Sequence, residues 1–266
     1  MLSATFSQQS FRLIFVAGSL SILGCGSVSD RVVEEKVEQS YQIEPTASIR
    51  IKNVDGSIYV YGSPAHELRV EGIKRAYSTN RLKQIAVNVS VAPGSATIET
   101  TFPKRSTLGL LDRSGKVDYT IVVPDTASIS QMELANGEVS VEEMRGHSVH
   151  ARLGRGRMFD HNCFSNVDMA VGRGTLTLAY EWWEPGKFSI QANIANGNAW
   201  AFFPSDAAFH LIIETIHGKI ASDFAAAGER GTGPTTRMDM SVNGGGEVGI
   251  KMHATEGNIK VAEQVP

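Results

Sequence analysis

Glycines in this chain keep a fixed phase with the apolar residues around them, and that phase restricts the fold more than any other feature. In "MELANGEVSV", Met132 and Leu134 lie five and three positions before Gly137, while Val139 and Val141 lie two and four after it. The positions two and four after a glycine hold Ile58 and Val60 at Gly56, Leu176 and Leu178 at Gly174, and Ala199 and Ala201 at Gly197. They hold Val248 and Ile250 at Gly246, and Ile259 and Val261 at Gly257. Ala151 and Leu153, Met169 and Val171, and Ala192 and Ile194 fill the positions before Gly156, Gly174 and Gly197. Two units are impure: Met158 is followed by Asp160, and Ile220 by Ser222. Side chains two apart on a strand share one face, so each glycine joins two short strands. The Asn-Gly and Asp-Gly dipeptides predict tight turns with positive φ, and "SIRIKNVDGSIYVYG" reads as a hairpin on Asp55-Gly56.

The register makes this a repeat. Glycines 137, 156, 174, 197 and 218 are 19, 18, 23 and 21 residues apart. A unit that short cannot bury its own apolar face, so stacked neighbours must supply the core. The expectation is an all-β fold, a β-solenoid-like stack of short strands with glycine-centred turns. The step from 218 to 246 carries an exposed loop in "AAAGERGTGPTT", and the last step, of 11 residues, predicts a truncated unit acting as a cap. A hydrophobic fraction of 42% can furnish such a core, and 26 glycines against 8% aromatics lean towards β structure with many turns.

Residues 47–125 follow the repeat less closely. "STNRLKQIA" predicts one short helix capped by Ser78 or Asn80. "IAVNVSVAPGSATIET" and "KVDYTIVVP" read as strands, and residues 102–115 as a long connection. A β-sandwich is the alternative for this N-terminal half.

The first thirty residues fix an expected address. Leu13 to Leu23 are apolar or small, and eleven residues of helix span about 16 Å, roughly half of a hydrocarbon core. That is the core of a signal peptide over residues 1–24 and not a membrane span. It ends in Ile22-Leu23-Gly24-Cys25, which resembles the lipobox of bacterial lipoproteins, with Leu23 standing where a small residue is usual. The resemblance implies acylation of Cys25, hence a partner membrane reached through the N-terminal lipid. Gly26 in place of an aspartate implies the outer membrane where the organism has one. Two or three acyl chains anchor firmly at about 0.8 kcal/mol per buried methylene. The only other cysteine, Cys163, then reads as a small buried hydrophobe. Residues 25–46 read as the acylated cysteine and a polar tether, and 47–264 as a single β-repeat domain.

The units in order, from "VDGSIYV" through "VDYTIVVP" to "ATEGNIKV", resemble the putative-adhesin β-strand-repeat domain of unknown function found in bacterial envelope lipoproteins. The resemblance covers about residues 47–262. It implies an all-β repeat domain on a lipid anchor in the cell envelope, and it implies no catalytic residues and no cofactor.

Candidate ligand-binding residues come from two places. Arg155 and Arg173, in "LGRG" and "VGRG", are 18 apart at equivalent positions, so they would stack on adjacent coils. With Arg152 and Arg157 they could form a cationic ladder for an acidic glycan or a lipid phosphate. The plainer reading is solvent-exposed turns whose arginines pair with acids. Trp182 and Trp183, in "YEWWEPG", point to opposite faces of a strand. One reading is a sugar-stacking platform, the other packing against a neighbouring coil. His147 and His150 fall on opposite sides of a strand, which disfavours a metal site.

The charge balance, 25 basic residues against 28 acidic, is too even to suggest nucleic acid as the partner. Asp160, Asp168, Asp206 and Asp223 are spread over different units, and no nucleophile motif accompanies them. The sequence therefore favours a non-catalytic, adhesin-like module contacting a cell-surface glycan or an envelope protein. The alternative is a polysaccharide lyase or hydrolase on the same scaffold.

Overall fold

The computed structural model describes residues 32–103, 115–224 and 236–264. The signal peptide and Cys25 lie outside the described residues, as do most of the 102–115 connection and of the loop over 225–236.

In chain order the elements are β1 (Val33–Gln42), β2 (Ser48–Ser63), β3 (Glu67–Ala76), a one-turn helix α1 (Thr79–Lys83), β4 (Ala86–Ala92), β5 (Ser95–Thr101) and β6 (Lys116–Pro124). The repeat follows as β7 (Ser128–Glu142), β8 (Ser148–His161), β9 (Asn166–Ala179) and β10 (Ser189–Phe203). The chain closes with β11 (Phe209–His217), β12 (Ile220–Ser222), β13 (Thr236–Val242), β14 (Gly249–Glu256) and β15 (Ile259–Glu263). The described residues are thus all-β, joined in one mixed sheet. The expected helix is α1, and Ser78 caps it by accepting at Oγ from the Arg81 amide at 3.2 Å.

Each long strand runs straight through its glycine. β2, β7, β8, β9 and β10 pair in parallel, with Gly56, Gly137, Gly156, Gly174 and Gly197 directly opposite one another. The hairpin expected at Asp55-Gly56 is therefore a bend within one strand. A turn that sent the chain back would place the halves of β2 against each other; instead both halves lie along β7.

The link between β7 and β8 shows how sharp the bend must be. Fifteen residues of β7 would extend to roughly 50 Å, whereas the five residues between the strands reach about 20 Å at most. Since β8 starts beside the start of β7, the two ends of β7 must come together. The strand folds over at Gly137, and its halves become parts of two walls facing across a core. The inward side chains change parity at the glycine accordingly: Met132 and Leu134 before it and Val139 and Val141 after it are all buried.

Glycine is required at the bend for two reasons. Gly137 has φ of 136°, and a Cβ there would sit 1.7 Å from the Gly56 carbonyl oxygen. The same contact repeats up the stack, so the ladder glycines form a column in which each backbone lies directly on the next.

Both walls have a parallel centre; the wall of first halves ends in antiparallel strands at both margins, and the wall of second halves at one. The first halves are flanked by the β4–β5 hairpin at one end and by β14, β11 and β13 at the other. The second halves are flanked by β6, β3 and β1, and by β15 and β12.

Two expectations are corrected here. The unit after Gly246 is not a truncated cap. β14 and β15 are the two halves of one coil around Gly257, and they insert between β10 and β11–β12. Gly246 lies outside the column, in the turn before β14. The tether expected over 25–46 is also shorter, because Val33–Gln42 is a sheet strand antiparallel to β3. Its charged residues have cross-strand partners: Glu35 lies 2.7 Å from Lys74 Nζ, and Lys36 lies 3.2 Å from Glu71.

Candidate functional site

The fold places three features with chemical potential at the surface or just beneath it: the glycine corner, the aromatic end of the core, and a buried carboxyl.

At the corner, the residue just before each ladder glycine points outward. In stacking order these are Asp55, Asn136, Arg155, Arg173, Asn196 and Glu256. The structure thus brings Arg155 and Arg173 onto adjacent rungs, about 4.8 Å apart along the stack. Both are exposed, and neither has a hydrogen bond or ion pair with any described residue. The acids that flank the row are held by its amides. Asn136 Nδ2 donates to Asp55 Oδ1 at 2.9 Å, and Asn196 Nδ2 donates to Glu256 Oε2 at 2.6 Å. Arg152 and Arg157 do not extend the ladder, because Asp168 holds Arg152 at 2.6 Å and Glu138 holds Arg157.

Beside this row lies a groove of about 600 Å³. Gly154 and Gly172, with Ala135 and Ala195, form its floor one position further back along the strands, and Asn193 and His253 stand among its polar lining. Sequence reasoning missed the groove. Its signal was the recurrence of a small residue two positions before the ladder glycine on four successive units.

The two tryptophans separate, but not by strand alternation as expected, because both lie in the link between β9 and β10. Trp183 packs inward, with ring centroids 5.5 Å from Phe209, 5.8 Å from Tyr180 and 5.9 Å from Phe203. Trp182 is 38% exposed and rests on Phe164 at 6.1 Å. Its indole Nε1 donates to Glu184 Oε1 at 2.9 Å, and Arg145 Nη2 donates to the same oxygen at 2.7 Å. Arg145, with help from Trp182, holds the Glu184 carboxyl below the usual carboxylate range. Arg145 also lies over the Phe164 ring at 5.7 Å, so the platform has a fixed orientation.

Beneath that platform is a polar group in the core. Asp160 is fully buried, at an inward position of β8 that is apolar on β2, β7, β9, β10 and β15. Tyr180 Oη lies 2.8 Å from Asp160 Oδ2 and 2.9 Å from the Cys163 carbonyl oxygen. A hydroxyl has one proton, so it can serve both neighbours only when the carboxyl group is protonated and donates to Oη. Burial favours the same state: it pushes Asp160 up to about 6, against hydrogen bonds from Cys163 and Tyr180 that pull the other way. Asp160 Oδ1 has no partner. Cys163, read as a small hydrophobe, is buried and free, and burial raises its thiol well above the ordinary range. A thiol in that state is a poor nucleophile.

The remaining candidates stand apart. His150 lies 3.6 Å from Asp168, and His161 lies 3.3 Å from Glu181 and 3.7 Å from Glu142. Among the described residues, no three histidines, cysteines or acids gather as a metal set. Asp168 is engaged by Arg152, Asp206 lies in the turn between β10 and β11, and Asp223 follows β12.

Fold and surface together define an all-β repeat protein with strands stacked in register around a glycine corner. No protein-family model and no curated protein matches the chain. Similar solved structures include a "putative cell adhesion protein" from Clostridium sporogenes, 12% identical, covering 86% of this chain and 100% of that one with a TM-score of 0.48. A "putative adhesin" from Bacteroides fragilis is 13% identical over 86% and 97%, TM-score 0.28. A "putative adhesin" from Parabacteroides distasonis is 9% identical over 86% and 97%, TM-score 0.25.

Proposed function

We propose that the chain is a non-catalytic, adhesin-like surface-binding module, held in the bacterial cell envelope by lipid on Cys25. The observation that carries the reading is the corner surface. Parallel stacking in register repeats equivalent outward positions at one-rung spacing, which suits contact with an extended partner at several points. The acids support a module over an enzyme, since Asp160 is buried in the core and Asp168 is bound to Arg152. Glycoside cleavage needs two carboxyl groups flanking one bond.

A glycan array probed with the full-length protein, with each hit then assayed for turnover, tests this. Binding without turnover is expected. Turnover abolished by a single carboxylate substitution would establish the enzyme instead. For the anchor, metabolic labelling with a fatty-acid analogue should mark the wild type and spare Cys25→Ala. Equal labelling of both would remove the lipid from the reading.

A further inference from the structure

Three pairs of like charges stand directly opposite each other on neighbouring strands. Glu38 faces Glu71, and Lys36 Nζ lies 3.2 Å from each carboxylate. Arg75 faces Lys116, and Asp118 forms ion pairs with both. Arg155 faces Arg173, and no carboxylate among the described residues bridges them. Like charges directly opposite on a sheet destabilise it. The first two pairs are neutralised from within the chain by a residue placed between them. The third is left open although acids are near, because Asp55 and Glu256 are held by Asn136 and Asn196. Arg152 and Arg157 already have their own acids.

The groove lies beside these arginines, which stand next to its lining and are not part of it. Gly154 and Gly172 precede them immediately and form part of its floor, flat for want of side chains. Leu153 and Val171 are buried beneath it, Asn193 and His253 offer hydrogen-bonding groups, and its two charged residues, Glu133 and Arg152, are paired with Lys52 and Asp168. A flat, mostly apolar floor with a few polar groups suits a sugar ring. A pair of planar guanidinium forks suits a carboxylate, which arginine grips through two parallel N–H bonds.

We propose that Arg155 and Arg173 clamp the carboxylate of an acidic polysaccharide, a polymer of hexuronic acids lying in the groove across the strands. The inference rests on the surface-binding reading and names its ligand class.

Binding of the full-length protein to immobilised polygalacturonate tests it. The fully methyl-esterified polymer and phosphatidylglycerol vesicles serve as separate arms. The wild type should bind polygalacturonate and fail to bind the ester. Arg155→Gln and Arg173→Gln should each weaken binding about tenfold, the loss expected for a charged hydrogen-bonding partner. The double variant should show no binding, with a Tm no lower than wild type because a repulsion has been removed. Lys187→Gln/Lys260→Gln, which removes the same charge elsewhere, should bind normally. The clamp is refuted if the double variant binds like wild type, if the ester binds equally, or if the lysine control loses as much. Binding to vesicles and not to the polymer would assign the site to a lipid headgroup and overturn the proposal. Array binding to neutral glycans alone would leave the surface-binding module standing without this clamp. No surface binding by the wild type would remove both.

Discussion

Replacing Asp160 by asparagine isolates the one carboxyl group that the core holds among the described residues. In the folded chain its pKa is about 6, against an ordinary value of 3.8, because burial penalises the charged form. Between those values the folded protein keeps a proton that the unfolded chain has released, so stability falls as pH rises through the window. The contribution is fully present below pH 4 and gone above pH 6. The span corresponds to about 3 kcal/mol at 1.36 kcal/mol per unit. Asparagine is neutral throughout and can donate from Nδ2 to Tyr180 Oη, as the protonated acid does, leaving the tyrosine hydroxyl free for the Cys163 carbonyl. Urea unfolding at a series of pH values should find Asp160→Asn more stable than wild type at pH 7.5 by up to about 3 kcal/mol. At pH 4 the two should be nearly equal. A wild type whose stability stays flat between pH 4 and 7, with the variant less stable at pH 7.5, would show that the folded site already holds the carboxylate below pH 6. The proton count at Tyr180 would then be wrong.

Other substitutions probe the frame. Gly137→Ala must push a Cβ against the Gly56 carbonyl and should cost on the order of 4 kcal/mol or prevent folding, whereas Gly249→Ala, with nothing within 4 Å, should cost under about 1 kcal/mol; thermal unfolding reads both. Trp183→Ala should destabilise by about 3–5 kcal/mol through the cavity left among Tyr180, Phe203 and Phe209. Trp182→Ala, at the exposed position, should cost under about 1 kcal/mol. Deleting residues 33–42 uncovers β3 as a sheet edge, and light scattering should then detect self-association that a plain tether's loss would not produce.

What the sequence disclosed was local. Offsets of five and three before the glycine and two and four after it carry the burial pattern of the repeat, and Met132, Leu134, Val139 and Val141 are buried as those offsets require. The same offsets contain the bend, since inward parity changes across the glycine. Asp55-Gly56 nevertheless reads as a hairpin, because that dipeptide favours a reversal when only its neighbours are considered. The carbonyl of Gly56 against Gly137, 81 residues away, decides otherwise. Stacking order was not legible, because units with equal offsets are interchangeable by pattern. Nothing in "ATEGNIKV" distinguishes a final cap from a coil inserted between β10 and β11. At the corner, the spacing of 18 placed Arg155 beside Arg173, but their lack of partners depends on where Asn136 and Asn196 direct the flanking acids. Asp160 was visibly out of place in its unit; its partner Tyr180, 20 residues on, belongs to a link and not to the matching strand position.

In a stack like this, fold and function can be separated row by row. Inward rows are fixed by the core, and the glycine row by carbonyls that leave no room for a Cβ. Outward rows are free, so their default is what a sheet favours on its own: opposite or neutral neighbours. Glu133 beside Arg152, Glu138 beside Arg157 and His150 beside Asp168 all follow it. Such rows need no ligand to explain them. By the same standard Trp182 is accounted for internally, since its N–H has Glu184 and its ring has Phe164. Arg155 beside Arg173 breaks the rule with no compensation among the described residues. That makes the arginine pair, and not the more conspicuous tryptophan, the place where the proposed ligand would complete the electrostatics.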